Sequence, residues 1–135
     1  MPDKAFIDTN VFIYYQRSDN PQKQSIARNL LENNDCVAST HVINEISNIL
    51  TKKYPTLEND IELFLQDVTE FCEIITTSVS LTFRALNLHF KYKLSFFDSL
   101  IIAAALEADC NIIYTEDMQH GQIIGNILKI INPFI

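Results

Sequence analysis

Four acidic residues stand where their surroundings give them little reason to be. Asp8 follows AFI directly, and Asp117 closes NIIYTED, an apolar segment that runs straight into two acids. Glu45 interrupts HVINEISNIL, three residues after Val42 and four before Ile49, a spacing that groups them on one helical face. Asp98 separates SFF from the apolar run SLIIAAAL. Gathered in one pocket, such carboxylates would repel one another and hold their protons more tightly unless cations neutralised them. An all-oxygen donor set suits hard divalent ions such as Mg²⁺ or Mn²⁺, which acidify water and offset charge on a phosphate.

Each acid alone also has a structural explanation. Asp8, Asp98 and Asp117 could serve helix N-termini, where negative charge is favourable. Glu45 could sit on a helix border with its carboxylate in water. The case for chemistry rests on the four together. Other chemistries have less support: His41, His89 and His120 are dispersed and read as surface, capping or supporting residues, and nothing pairs histidines or cysteines for zinc. Gly121 and Gly125 are the only glycines, which leaves no phosphate-binding loop.

Periodicity supplies the elements that would position the acids. Short apolar runs at 4–7, 36–39 (CVAS), 72–76 (CEIIT), 111–115 (NIIYT) and 127–131 (ILKII) read as five strands. Helical spacing covers 21–31, a segment capped by Ser39 or Thr40 and ended by Pro55, then 56–69, 78–92 and 99–108. Strands alternating with helices predict an α/β fold with a mostly parallel sheet covered on both faces. Asp8 and Asp117 then fall at or just beyond strand C-termini, where open parallel sheets collect ligands.

The whole-chain properties are compatible with this. The 135 residues suit a single domain, 1–135, and 47% hydrophobic content is too apolar for disorder. No uninterrupted apolar run approaches the roughly 18 residues of a membrane span, and MPDKAFIDTN does not read as a signal peptide. Three widely spaced cysteines suggest buried thiols in a reducing cytoplasm. A net charge of −7 argues against coating nucleic acid through a broad basic surface. It does not exclude an enzyme whose acids hold metal ions.

DTNVFIYY (8–15), the isolated Glu45, FFDSLIIAAAL (96–106) and YTEDMQHGQ (114–122), in this order, resemble the PIN-domain nucleases. The nearest kind is the VapC-like toxin of bacterial and archaeal toxin–antitoxin pairs, and the resemblance covers almost the entire chain. It implies a three-layer PIN-like fold with a mostly parallel five-stranded sheet, and metal-dependent endoribonuclease activity leaving 5′-phosphate and 3′-hydroxyl ends. It assigns Asp8, Glu45, Asp98 and Asp117 as the catalytic, metal-binding acids, with Mg²⁺ or Mn²⁺ as cofactor. Asn10 and Thr115 match positions that assist by hydrogen bonding, and Ser99 could join them. Glu116, by strand alternation, would face away from Thr115 and Asp117 while reaching the rim. Phe97 stands for the aromatic that precedes the third motif aspartate.

The resemblance further implies a homodimer and a small antitoxin whose C-terminal segment occupies the groove. Lys52, Lys53, Lys91 and Lys93 are candidate RNA phosphate contacts. Tyr14 and Tyr15 could stack on a base, although core or interface packing suits VFIYY better. Two alternatives stand beside this reading: a PIN-type RNA-processing or DNA nuclease outside a toxin system, and a noncatalytic acidic protein-binding module.

Overall fold

The computed structural model describes residues 2–53 and 56–135. In chain order the elements are β1 (Lys4–Ile7), α1 (Thr9–Gln16), α2 (Pro21–Asn33), β2 (Asp35–Ser39), α3 (Thr40–Lys52) and α4 (Glu58–Phe71). They continue with β3 (Glu73–Ile75), α5 (Val79–Tyr92), α6 (Phe96–Glu107), β4 (Ile112–Tyr114), β5 (Ile123–Ile124) and β6 (Leu128–Ile131). Pro55, expected to end α3, lies outside the described residues. No described helix is long and apolar enough to cross a membrane.

One sheet runs in the order β3-β2-β1-β4-β6-β5. Its pairings are parallel except for β5 with β6. Successive strand side chains point to opposite faces, yet Ala5, Phe6 and Ile7 of β1 are all fully buried, so helices cover both sides of the central strand. The chain leaves β1 toward β2 and β3, then returns to the other side of β1 as β4. That reversal opens a crevice beyond the C-terminal ends of β1 and β4.

The sheet has six strands and not the expected five. The additional strand is β5, a two-residue element antiparallel to β6, with Ile124 opposite Leu128. Its turn passes through Gly125 and Asn126, both at positive φ, and closes with the Ile127 amide donating to the Ile124 carbonyl. Glycine and asparagine tolerate that left-handed conformation. Two residues carry too little alternation to register as a strand; the Gly-Asn pair was the available signal.

Capping explains where the helices begin. Asp8 caps α1, a helix whose apolar run VFIYY shows no helical period in sequence, and Ser39 caps α3 through the Val42 amide. Ser95 caps α6 through the Asp98 amide, so that helix starts at Phe96 and holds Asp98 in its first turn. Val11, Phe12 and Ile13 are buried, so VFIYY contributes core more than a surface patch. The exposed apolar stripe lies instead on α5, where Val79, Phe83, Leu86 and Phe90 share one face. All three cysteines are buried and free.

Helix α6 packs against α5 and β2 through the apolar run Leu100–Ala105, in which Ala103, Ala104 and Ala105 are fully buried. Ile102 is likewise fully buried. Ile102→Ala should lower stability by about 3 kcal/mol, combining lost transfer energy with the cavity left behind. Urea unfolding checks this, and a loss below about 1 kcal/mol would mean that the site collapses around the smaller side chain.

Candidate active site

The crevice beyond β1 and β4 is where three consecutive motif residues meet the start of α1. Asp8 is only 4% exposed. Its Oδ1 accepts from the Thr9 amide at 2.7 Å, and its Oδ2 accepts from the Thr115 hydroxyl at 2.7 Å. Thr115, fully buried at the end of β4, in turn accepts from the Asp117 amide at 3.2 Å. Asp117 is the most open of these residues, and its Oδ2 accepts from Asn10 Nδ2 at 3.3 Å. The capping and pocket explanations of Asp8 therefore coexist in one carboxylate.

Glu45 comes from α3, whose buried stripe is Val42, Ile46 and Leu50. It sits at the margin of that stripe, and its Oε1 accepts from the Thr9 hydroxyl at 2.8 Å. His41, one turn earlier, brings Nε2 to 3.4 Å from the same oxygen while its ring stacks on Phe97, 5.4 Å between centroids. Asp98 projects from the first turn of α6, next to Phe97, where the helix N-terminus favours its charge.

Burial and mutual repulsion act on these acids together. Burial first, then the charges of Asp117 and Glu45, push the Asp8 carboxyl from the ordinary 3.8 up to about 6 despite two hydrogen bonds that oppose the shift. Partial burial, then Glu45, raises Asp98 against the Ser95 hydrogen bond. Partial burial, then Glu116, Asp98 and Glu45, raises Asp117. Asp8 thus lies in the fields of Asp117 and Glu45, Asp98 in that of Glu45, and Asp117 in those of Asp98 and Glu45. Among the described residues, no lysine or arginine pairs with Asp8, Asp98 or Asp117.

Uncompensated carboxylate charge of this kind fits a hard divalent cation. Among the described residues, no group of three or more acid, histidine or cysteine side chains stands close enough to hold a metal ion by itself. An ion here would therefore be held partly through water, as Mg²⁺ commonly is.

The remaining expected residues divide. Asn10 and Thr115 touch the acids. Ser99 is fully buried and donates to the Ser95 carbonyl at 2.9 Å, so its hydroxyl serves the start of α6. Glu116 turns away, accepting from the Tyr14 hydroxyl at 2.8 Å with Lys23 Nζ at 3.4 Å. Lys52, Lys53, Lys91 and Lys93 are exposed at the ends of α3 and α5. Sequence reasoning missed Thr9, which bonds both Asp8 and Glu45; its place between the two polar residues of DTN was the available signal. It also missed the Lys23–Tyr14 pair, separated from Glu116 by more than 90 residues.

An α/β sheet with a carboxylate cluster at its topological reversal defines the class, and comparison with known proteins supplies the family. The PIN domain family model matches residues 5–124. The chain belongs to the PIN-domain family of nucleases, whose members generally depend on metal. No curated protein matches it significantly in sequence. Its fold is similar to that of a toxin–antitoxin complex from Klebsiella pneumoniae, with TM-score 0.70, 21% identity and coverage of 96% of this chain and 98% of that one. It is similar to VapBC2 from Rickettsia felis bound to a promoter DNA fragment, with TM-score 0.67, 21% identity and coverage of 96% and 99%. Mycobacterium tuberculosis VapC20, a Sarcin-Ricin loop cleaving toxin, gives TM-score 0.68 at 14% identity over 84% of this chain and 91% of that one.

The shifted Asp8 carboxyl has a consequence for stability. Its folded value lies above its unfolded value, so the fold binds this proton more tightly than the unfolded chain does. The resulting stabilisation is complete below about pH 4 and is lost as pH rises through about 6. In metal-free protein, Asp8→Asn should flatten the stability–pH curve across that window by roughly 2–3 kcal/mol. Thermal melts from pH 4 to 7 test this; parallel curves for the two proteins would contradict the raised carboxyl.

Proposed function

We propose that the chain is a divalent-metal-dependent endoribonuclease, the toxin of a toxin–antitoxin pair, working as one PIN-like domain over residues 1–135 in the cytoplasm. The observation that carries the reading is the set of acids at the β1–β4 crevice, with Asp8 buried, bonded to Thr9 and Thr115, and without a basic partner among the described residues.

In this reading Asp8, Asp98 and Asp117 hold Mg²⁺ or Mn²⁺, directly or through water, and Glu45 completes the set. A bound ion of this type acidifies water for attack on phosphorus and offsets charge on the phosphodiester oxygens. The protein's own groups fix the acids beforehand. Thr115 and the Thr9 amide orient both oxygens of Asp8, Asn10 steers Asp117, and the Thr9 hydroxyl steers Glu45. Hydrolysis adds water across one P–O bond and leaves a 5′-phosphate and a 3′-hydroxyl. The exposed Lys52, Lys53, Lys91 and Lys93 would meet flanking RNA phosphates. Lys93 ends α5 in a left-handed conformation only a few residues before α6 and Asp98.

Two surfaces suit the partners. A concavity of about 430 Å³ between α1, α2 and α4 is lined by Tyr15, Phe64 and Phe71 beside Glu32, Asp67 and Glu70. An antitoxin segment with apolar and basic side chains complements both its floor and its charge. The α5 stripe suits a second copy of the chain, and burying it would remove an exposed apolar patch. The Klebsiella structure is described as a toxin–antitoxin complex and the Mycobacterium protein as a Sarcin-Ricin loop cleaving toxin, which supports this choice among PIN-domain functions.

Incubation with a mixed RNA panel, including intact transfer RNA, should give discrete cleavage only with Mn²⁺ or Mg²⁺. Asp8→Asn and Asp98→Asn, prepared identically, should lose about a hundredfold or more of the rate while remaining folded. Full activity in either variant would overturn the site, and preference for DNA in a competition assay would move the assignment to a DNA nuclease.

A further inference from the structure

Glu116 lies between two residues of the acid pocket and yet belongs to a different cluster. Thr115, Glu116 and Asp117 each hold a separate partner near the start of the chain. Thr115 donates to Asp8, Glu116 accepts from Tyr14, and Asp117 accepts from Asn10. Asn10 and Tyr14 are one turn apart on α1 and so present the same face to this short segment.

Lys23 of α2 completes the arrangement. Its Nζ donates to the Tyr14 hydroxyl at 3.1 Å and lies 3.4 Å from Glu116 Oε2. The ammonium also sits 4.5 Å from the Tyr14 ring centroid and 5.4 Å from that of Phe134. Those two rings meet edge to face, 5.0 Å apart. A lysine bounded by two rings, a phenol and a carboxylate has far less freedom than a surface lysine. The side chains of Glu116 and Lys23 are only 20% and 33% exposed, so neither charge is fully solvated without the other.

We propose that Lys23 and Tyr14 are positioning residues for Asp117: they clamp Glu116 on the outer side of the segment, neutralise it, and thereby aim Asp117 into the acid pocket. Without the lysine, a half-buried glutamate would have to rotate toward water. A segment this short transmits such a rotation to the Asp117 carboxylate beside it, and the freed acid adds repulsion to a site already crowded with like charge. The clamp also ties the C-terminal Phe134 to the site through the ammonium. The consequence for metal affinity rests on the proposed metal-dependent reading; the clamp itself does not.

The test uses the full chain as wild type, Lys23→Met, Lys23→Arg and the double variant Lys23→Met/Glu116→Gln. Two quantities are measured: amide hydrogen exchange at Asp117, whose N–H is held by Thr115, and Mn²⁺ binding by calorimetry. Lys23→Met should speed Asp117 exchange and weaken Mn²⁺ binding roughly tenfold, as loss of a supporting partner typically does. Lys23→Arg should stay near wild type. The double variant should recover most of both losses, because position 116 no longer carries an unpaired carboxylate. Unchanged exchange at Asp117 in Lys23→Met, or a double variant as impaired as the single one, would overturn the clamp. Absence of Mn²⁺ binding in wild type would count against the metal reading, and exchange alone would then decide the clamp.

Discussion

Asp8 carries a charge that is removed from water at the end of the central strand and answered by two hydrogen-bond donors, with no basic side chain among the described residues. Desolvating a carboxylate on these terms is costly and raises its proton affinity. Much of the local architecture follows from the way that cost is met. The Thr9 amide, the first of α1, turns the chain immediately after β1. The Thr115 hydroxyl must then reach across from β4, which it does because β4 pairs with β1 in parallel and brings Tyr114 opposite Ile7. Moving either strand by one residue would put the Thr115 side chain on the other face.

The same constraint joins fold and chemistry. A parallel sheet buried on both faces places its strand ends at one edge, and the reversal between β1 and β4 leaves that edge open. Glu45 and Asp98 are supplied to it by helices that anchor themselves elsewhere, α3 through Val42, Ile46 and Leu50, and α6 through the buried run Ser99–Ala105. Core packing thus directs acids from separate elements toward one crevice, where Asp117 and Glu45 add repulsion to the burial of Asp8. The arrangement favours proton uptake or a cation over the empty, fully ionised state. The nearest lysine is directed to the periphery, where Lys23 meets Glu116.

Much of this was legible in the sequence. Five strand segments, the acids at their ends and the helices between them all leave local patterns, and the family motifs put Asp8, Glu45, Asp98 and Asp117 in order. What escaped was short or nonlocal. β5 is two residues long and identifiable chiefly by the Gly125–Asn126 turn. α1 was obscured because VFIYY is apolar all along its length and lacks a polar face, so periodicity could not separate helix from strand. Ser95, a serine three residues before Asp98, moved the start of α6 earlier than the apolar run suggested. Ser99 points to the Ser95 carbonyl, a local bond that competes with any role toward the acids. The Lys23–Tyr14–Glu116 cluster depends on tertiary contact between residues that share no sequence pattern.

The central claim is that these four acids form one cation site. Anomalous diffraction at the manganese edge, from crystals soaked in Mn²⁺, tests it most directly. The account predicts a peak at the β1–β4 crevice, with at least one of Asp8, Asp98 and Asp117 at about 2.1–2.2 Å and waters filling the other positions, a coordination typical of such ions. A well-ordered crevice with no anomalous peak, while Mn²⁺ binds elsewhere on the same molecule, would contradict it.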